Sequence, residues 1–144
     1  MMDTKEKLLL NRLNKKYGNR YGIASFKIRL LNDVLTEKER TALDDMHKVG
    51  SAYLSKLSLG VEHFGQVQWI KHKARSYLDY NCEIMIIDSG YIIAFFLENA
   101  EVFLDRYLED NSQTLNICII NRTQRKCIQT YLNEHDIEFC ERDI

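Results

Sequence analysis

Three apolar segments in the second half of the chain constrain its fold more than any other feature. Residues 83–87, 91–97 and 115–120 are apolar at nearly every position. A strand with one face in water would alternate apolar and polar residues, so these segments predict strands that are buried on both faces. We therefore expect them to form the middle of a β-sheet that has helices on both faces.

A polar break, Asp88-Ser89-Gly90, separates the first two apolar segments. Two short apolar segments around a tight glycine-containing turn predict a β-hairpin. Because this break interrupts the apolar stretch, the stretch cannot cross a bilayer as a helix. We therefore expect no membrane partner.

Helix signals occupy most of the chain between and before these segments. Asp3 with Glu6 predicts a capped helix over 4–17, and Thr36 with Glu39 predicts a second helix start. Helical spacing predicts that this second helix continues through Gly50, on the residues Leu43, Met46, Tyr53, Leu54 and Leu57. A further helix is predicted over 62–79, with Phe64 on its apolar stripe. Another is predicted over 100–110 after an Asn99 cap. The last is predicted from Asn121 onward, and its buried side comprises Cys127, Ile128, Tyr131 and Leu132.

Two further segments alternate as strands with one wet face do. Residues 23–30 place Ala24, Phe26, Ile28 and Leu30 on one side and charged or polar residues on the other, which predicts an edge strand. Residues 137–140 predict a short final strand. The predicted fold is α/β (or α+β), a single domain over 1–144 with a mixed sheet of about five strands. Residues 1–80 are expected to be mainly helical with one edge strand, and 81–144 to read ββαβαβ with right-handed crossovers.

Charge is unevenly distributed along a chain whose net charge is −1. The first 30 residues carry eight Lys and Arg against two acidic residues, whereas the remainder is acidic overall. Such asymmetry predicts either a basic face for an acidic partner or a solvated helix face that is rich in lysine.

The four cysteines show no spacing typical of a zinc site, and the first residues show no apolar signal segment. We therefore expect a cytoplasmic protein with reduced thiols, without a metal or cofactor. The chain contains no phosphate-binding loop, no G-x-G-x-x-G fingerprint and no nucleophile elbow.

The first candidate site is the predicted strand-to-helix junction after residue 120. A helix start offers free N–H groups and a positive dipole end, which suit an anion. The candidate binding residues are Asn121, Arg122, Thr123, Arg125 and Lys126. The alternative is an ordinary helix cap followed by a solvated basic turn.

The second candidate site is one face of the helix predicted over 62–79. At 100° per residue, Trp69, His72, Lys73 and Arg75 lie on or beside the side opposite the apolar stripe. An exposed Trp on a basic face would stack on bases or anchor a protein partner. The alternative is that another segment covers the indole.

A set of carboxylates, Asp88, Glu98 and Glu101, is not expected to form a nuclease metal site. The first two would lie at opposite ends of one strand, and Ala100 stands where the PD-(D/E)xK pattern requires lysine.

These features favour a small non-catalytic protein-binding protein that resembles inhibitors, immunity proteins or modulators in its profile. The acidic carboxyl-terminal residues would suit a basic partner. Nucleic-acid binding through the basic amino-terminal region and the Trp69 face is the alternative. A second alternative is an enzyme whose site lies at the carboxyl edge of the sheet. The sequence indicates neither the partner nor the oligomeric state.

Overall fold

The computed structural model describes residues 2–48 and 52–144. These residues form five helices and seven strands. The helices are α1 (Thr4–Asn19), α2 (Leu31–Val34), α3 (Glu37–Met46), α4 (His63–Arg75) and α5 (Ala100–Asp110). The strands are β1 (Ile23–Leu30), β2 (Ser55–Ser58), β3 (Ile84–Asp88), β4 (Tyr91–Leu97), β5 (Cys118–Asn121), β6 (Lys126–Leu132) and β7 (Asp136–Asp143).

The strands form one sheet in the order β1-β4-β3-β5-β6-β7-β2. Every neighbouring pair is antiparallel. The predicted class, α/β (or α+β), is confirmed by the combination of helices and one sheet, whereas the mixed sheet, its count of about five strands and the parallel crossovers are wrong. The described part of residues 1–80 contributes two strands rather than one, and they lie at opposite edges of the sheet.

The largest error concerns residues 126–132, which were predicted as a helix and form β6. The region from 81 onward therefore reads ββαβββ. Cys127 and Ile128 are both buried, but they belong to clusters on opposite faces of the sheet. A strand that is buried on both sides supplies apolar residues at consecutive positions, and some of these positions coincide with helical spacing.

The second predicted helix is shorter than its spacing indicates. α3 ends at Met46, and Gly50, through which the helix was expected to continue, lies outside the described residues. Leu57 lies in β2, which pairs with β7. α4 is likewise shorter than the predicted 62–79, and Phe64 is 70% exposed instead of lying on the apolar stripe.

The local signals with a defined hydrogen-bond chemistry are confirmed. The Asp3 carboxylate accepts from the Glu6 N–H at 2.8 Å, and the Asn99 side chain accepts from the Val102 N–H at 3.1 Å. The hairpin of β3 and β4 turns through Ser89 and Gly90, whose φ angles of 54° and 83° are both positive. This is the geometry of a two-residue hairpin turn, and glycine adopts it without steric cost.

Successive residues of the central strands contribute to two hydrophobic clusters. Ile84 and Ile86 belong to a cluster that includes side chains of α1, α4 and α5, whereas Met85 belongs to a cluster that includes side chains of α2 and α3. Because side chains of a strand alternate between faces, the two clusters lie on opposite faces of the sheet. Burial of each large apolar side chain contributes about 1.5–3 kcal/mol relative to its exposed state.

Two irregularities in the sheet matter for the sites described below. A bulge interrupts the register of β1 and β4 between Ala24 and Lys27, and Ser25 within it has a φ of 54°. The ladder between β3 and β5 is registered only at Met85 and Ile120 in the described residues. Among those residues, no helix has the length and apolar composition to span a membrane.

Candidate functional site

The first sequence-predicted site, at Asn121, is a turn between two antiparallel strands rather than the start of a helix. The Asn121 side chain is fully buried, and its Oδ1 accepts from the Gln124 N–H at 3.0 Å. Its Nδ2 donates to the Tyr77 carbonyl at 2.9 Å. The side chain makes the contact that an N-cap would make, but the chain then reverses into β6. The free N–H groups and helix dipole required for an anion site are therefore missing here.

Arg122 is committed to a buried carboxylate. Its Nε and Nη2 donate to both oxygens of Glu39 at 2.7 and 2.8 Å, and Nη2 also donates to the Val34 carbonyl at 2.7 Å. Burial alone would raise the pKa of Glu39, but hydrogen bonds from Arg122 and Thr36 outweigh burial and lower it. This bidentate pair fastens α3 to the turn and leaves Arg122 little capacity for a ligand.

The remaining residues of this turn do not form a cationic cluster. Lys126 forms ion pairs with Asp143 and, at 3.2 Å, with Glu141. Thr123 and Arg125 are exposed, and the backbone carbonyl of Arg125 accepts from the Ile144 N–H at 3.0 Å. Arg125 is thus the one residue of the five whose cationic side chain has no ion pair among the described residues.

The second sequence-predicted site, on α4, is partly covered. Trp69 is half-buried and packs against the main hydrophobic cluster, and the Lys73 ammonium lies 5.7 Å from the centre of its ring. His72 is exposed. His72 and Lys73 line a shallow groove of about 370 Å³ that β2 and β7 close on the other side. Trp69 does not lie on an open stacking surface.

Arg75 and its neighbours on α4 connect that helix to α5. Lys71 is buried and forms ion pairs with Glu101 at 2.8 Å and Asp105 at 2.6 Å, and Arg75 pairs with Glu101 as well. Hydrogen bonds from Lys71 and Arg75 lower the pKa of Glu101. These contacts hold the two helices together and use the charge of Arg75.

The three carboxylates do not converge. Asp88 accepts from Lys16 at 2.7 Å and from the Tyr17 hydroxyl at 2.5 Å, whereas Glu101 pairs with α4. Across the two described ranges, no group of three or more His, Cys, Asp or Glu side chains is placed to share a metal ion.

A surface that the sequence did not single out lies along the outer edge of β1, which is the first strand of the sheet. The Leu31 N–H donates to the Gly90 carbonyl at 3.1 Å, so the backbone of Leu31 faces β4. Residues two and four positions earlier, Arg29 and Lys27, therefore face β4 as well. In an antiparallel pair, backbone groups point alternately toward the partner and away from it. The N–H and C=O groups of Ile28 and the N–H of Leu30 therefore point away from the sheet, whereas the Leu30 carbonyl, at the N-cap of α2, accepts the first hydrogen bond of that helix. We call this the β1 edge.

Cationic side chains without acidic partners lie on β1 and on the preceding helix, α1. Lys16 pairs with Asp88 and Arg20 with Asp110, which leaves six of the eight basic residues of this region without an ion pair in the described ranges. Two are on β1 itself and four are on α1. They are Lys5, Lys7, Arg12, Lys15, Lys27 and Arg29.

Three of the five acidic carboxyl-terminal residues form ion pairs within the chain, whereas Glu134 and Glu138 form none among the described residues. Glu141 accepts from the Tyr77 hydroxyl and pairs with Lys126, which also pairs with Asp143. Asp136 lies 3.8 Å from the Lys56 ammonium. At this end of the sheet the carboxylates without an ion pair are therefore two, against six such cations on α1 and β1.

Comparison with known proteins identifies no relative. No protein-family model matches the sequence, and neither a curated protein nor a solved structure was found to match the chain.

Part of the β1 edge could be predicted from the sequence. Alternation over 23–30 predicted both the strand and its edge position. Its outward backbone register depends on pairing with β4, and the lack of acidic partners for its cations depends on tertiary contacts. Neither can be deduced from residues 1–30 alone.

Proposed function

We propose that this chain is a non-catalytic protein-binding protein that captures an extended, acidic segment of its partner along the β1 edge. The observation that carries this proposal is the free outer edge of an eight-residue strand. The N–H and C=O of Ile28 and the N–H of Leu30 are directed outward, and an added strand would pair with these three groups. Main-chain hydrogen bonds supply affinity in this mode of recognition, while side chains on alternate residues supply specificity.

Charge supports an acidic partner rather than the basic partner expected from the sequence. Lys27 and Arg29 are exposed and two residues apart, so they project from the same face of β1. Acidic side chains on a paired strand would lie opposite them, where cross-strand pairs of opposite charge are favourable. The unpaired cations of α1 would add long-range attraction and accelerate association.

Apolar side chains next to the β1 edge provide anchors. Leu30 is 51% exposed at the end of the strand, and Phe96 on the neighbouring β4 is 40% exposed. Phe96 is in register with Ala24, at the other end of β1. An exposed aliphatic and an exposed aromatic side chain at the two ends of a strand would fix the register of an added segment.

The substitution Leu30→Pro tests the pairing directly. Leu30 has φ −60° and ψ 135°, which proline adopts without strain, and its N–H points away from β4. Proline therefore removes an outward donor but no hydrogen bond of the sheet. Leu30→Ala is the matched control because it removes the apolar side chain and keeps the N–H.

The probe is a displayed library of random peptides eight residues long, the length of β1. We expect selection on the wild-type chain to enrich peptides with Asp or Glu at alternate positions. Leu30→Pro should abolish binding of the enriched peptides, whereas Leu30→Ala should weaken it only several-fold. A folded Leu30→Pro variant that binds them as the wild type does would refute strand addition.

A charge test uses the double substitution Lys27→Glu/Arg29→Glu, with Arg125→Glu as the control at an unpaired cation of the β5–β6 turn. The double variant should lower the association rate of the enriched peptides at least tenfold at low salt. Arg125→Glu should leave this rate unchanged, and equal effects of both variants would contradict a specific role for the β1 edge.

Nucleic-acid binding is the second candidate function, because the six unpaired cations lie on two consecutive elements at one end of the chain. Phosphate contacts would make binding fall steeply with salt. Gel shifts of single-stranded RNA and duplex DNA at low salt are the test. Replacement of Lys5, Arg12 and Lys15 by Glu should then abolish the shift, whereas Leu30→Pro should preserve it. Absence of any shift with the wild type would exclude this function.

A further inference from the structure

The unpaired oxygen of a buried glutamine identifies a second site, separate from the β1 edge. Gln129 on β6 is 3% exposed, and its Oε1 has no hydrogen-bond donor among the described residues. Its Nε2 donates to Asn116 Oδ1 through a long contact of 3.3 Å. A buried acceptor without a donor costs about 1–3 kcal/mol, so a side chain of this kind requires an explanation.

Gln129 lines a cavity of about 260 Å³ that opens where β3 and β5 diverge. The strands are registered at Met85 and Ile120, whereas Ile87 and Cys118, further along, both line the cavity. Residues from the end of α5 and from the segment between α5 and β5 complete the wall, and His47 lies at the rim. The full lining is His47, Ile87, Tyr107, Asn111, Thr114, Asn116, Cys118 and Gln129.

Amide, hydroxyl, thiol and apolar groups line the cavity, and none of its lining residues is Lys, Arg, Asp or Glu. The Tyr107 hydroxyl has no hydrogen-bond partner within the described ranges. Burial raises the pKa of the Cys118 thiol to about 12, and burial raises the pKa of Tyr107 as well. Both groups are therefore neutral near pH 7, and the thiol lacks the thiolate form that a nucleophile requires. Phosphates and carboxylates would meet no lysine or arginine side chain in this lining.

We propose that this cavity binds a small uncharged nitrogen heterocycle through an edge that carries adjacent hydrogen-bond donor and acceptor atoms, as a nucleobase does. The Gln129 amide has an oxygen without a donor, and one hydrogen bond, to Asn116, is made by its nitrogen, which can donate two. An amide side chain pairs with the amino group and ring nitrogen of adenine in this way. Sites for drug-sized ligands occupy roughly 300–1,000 Å³, so this smaller cavity fits one ring system better than a whole nucleotide.

The test uses 9-methyladenine as the probe and 6-dimethylamino-9-methylpurine as the matched control, which has the same rings without an N–H donor. Titrations followed by ¹H–¹⁵N spectra should show saturable binding of 9-methyladenine, with shifts of the side-chain NH₂ signals of Gln129 and Asn116. The control compound should bind at least tenfold more weakly. Absence of saturable binding by 9-methyladenine at millimolar concentration would overturn the proposal.

Two variants separate a binding role from a structural one. Gln129→Leu keeps the side-chain volume and removes both amide atoms, so it should weaken 9-methyladenine at least tenfold while the unliganded melting temperature stays equal or rises. A clear fall in that temperature would show that the amide supports the fold and would count against the proposal. Tyr107→Phe removes only an unpaired hydroxyl and should weaken binding several-fold, and wild-type affinity in both variants would refute the site.

Discussion

The two outer strands of the sheet are protected in different ways. β1 has eight residues, a bulge at Ser25 and exposed cations, and α1 packs on one of its faces. β2 has four residues, and its ladder with β7 extends over those four. A long free edge invites uncontrolled pairing with other chains, so charge, twist and a covering helix are the usual defences, whereas a short edge is protected by its length. Those defences on β1 also make its pairing selective.

Loss of Asp88 should have the largest effect on the contrast between the two edges. Asp88 of β3 holds α1 in place, and α1 is the helix that packs on one face of β1. Asp88→Ala leaves the Tyr17 hydroxyl, on a residue that is 1% exposed, without its acceptor and removes the partner of Lys16. We expect a loss of about 3 kcal/mol in the free energy of unfolding, measured with urea. Glu98→Ala, at an exposed carboxylate without an ion pair among the described residues, is the control and should change stability by less than about 0.5 kcal/mol. Similar losses in both would show that α1 is held by other contacts.

The same anchor should weaken in acid. Burial would raise the pKa of Asp88, but hydrogen bonds from Lys16, Tyr17 and Ser89 outweigh burial and lower it. A carboxyl group with a lower pKa in the folded state stabilises fully above its unfolded value, near 3.9, and loses this contribution as the pH falls through the folded value. The stability difference between wild type and Asp88→Asn should therefore be constant from about pH 7 to 5 and shrink below about pH 4. A difference that persists at lower pH would contradict this assignment.

A smaller effect is expected from the bulge of β1. Ser25 has a φ of 54°, which costs a residue with a side chain more than it costs glycine. Glycine relieves this backbone strain but makes the unfolded chain more flexible, which offsets part of the gain. Ser25→Gly should therefore raise the free energy of unfolding, measured with urea, by about 0.5 kcal/mol. Ser25→Ala keeps a Cβ without the hydroxyl and should match the wild type. Stabilisation by alanine alone would show that the hydroxyl, not the backbone conformation, limits this position.

The smallest effect is expected at the other edge. Lys56 of β2 lies 3.8 Å from Asp136 and has an exposed side chain. Exposed pairs of this kind contribute little, because solvent screens them and side-chain entropy opposes them. Lys56→Ala should leave the urea midpoint unchanged. A fall comparable to that of Asp88→Ala would show that both edges depend on ion pairs, and the distinction between them would fail.

Sequence reasoning succeeded where one local contact decides the structure. Asp3 and Asn99 cap their helices, and Ser89-Gly90 turns the hairpin, since each signal is satisfied within three or four residues. The α/β class also followed, because apolar segments such as 91–97 exclude a surface location.

Errors arose where tertiary pairing overrides local preference. Asn121 makes an N-cap-like contact to the Gln124 N–H, yet pairing of the following residues with β5 and β7 turns them into a strand. Arg122 was predicted to bind a ligand because its partner Glu39 is 83 residues away and no local pattern reveals it. For the same reason, the Gln129 cavity, which combines residues from His47, just after α3, to Gln129 of β6, could not be predicted.

The single registered pair of Met85 and Ile120 divides the sheet into a unit of β1, β4 and β3 and a unit of β5, β6, β7 and β2. Among the described residues every other ladder lies within one unit, so side-chain packing and a few side-chain hydrogen bonds oppose separation along this seam more than backbone pairing does. Native proteins open in cooperative sub-units of this kind, at a free energy below that of global unfolding. Amide hydrogens of Met85 and Ile120 should then exchange with solvent deuterium before those of Ile93 and Ile128, which lie within each unit. Under load or partial denaturation, the sheet would open first between β3 and β5.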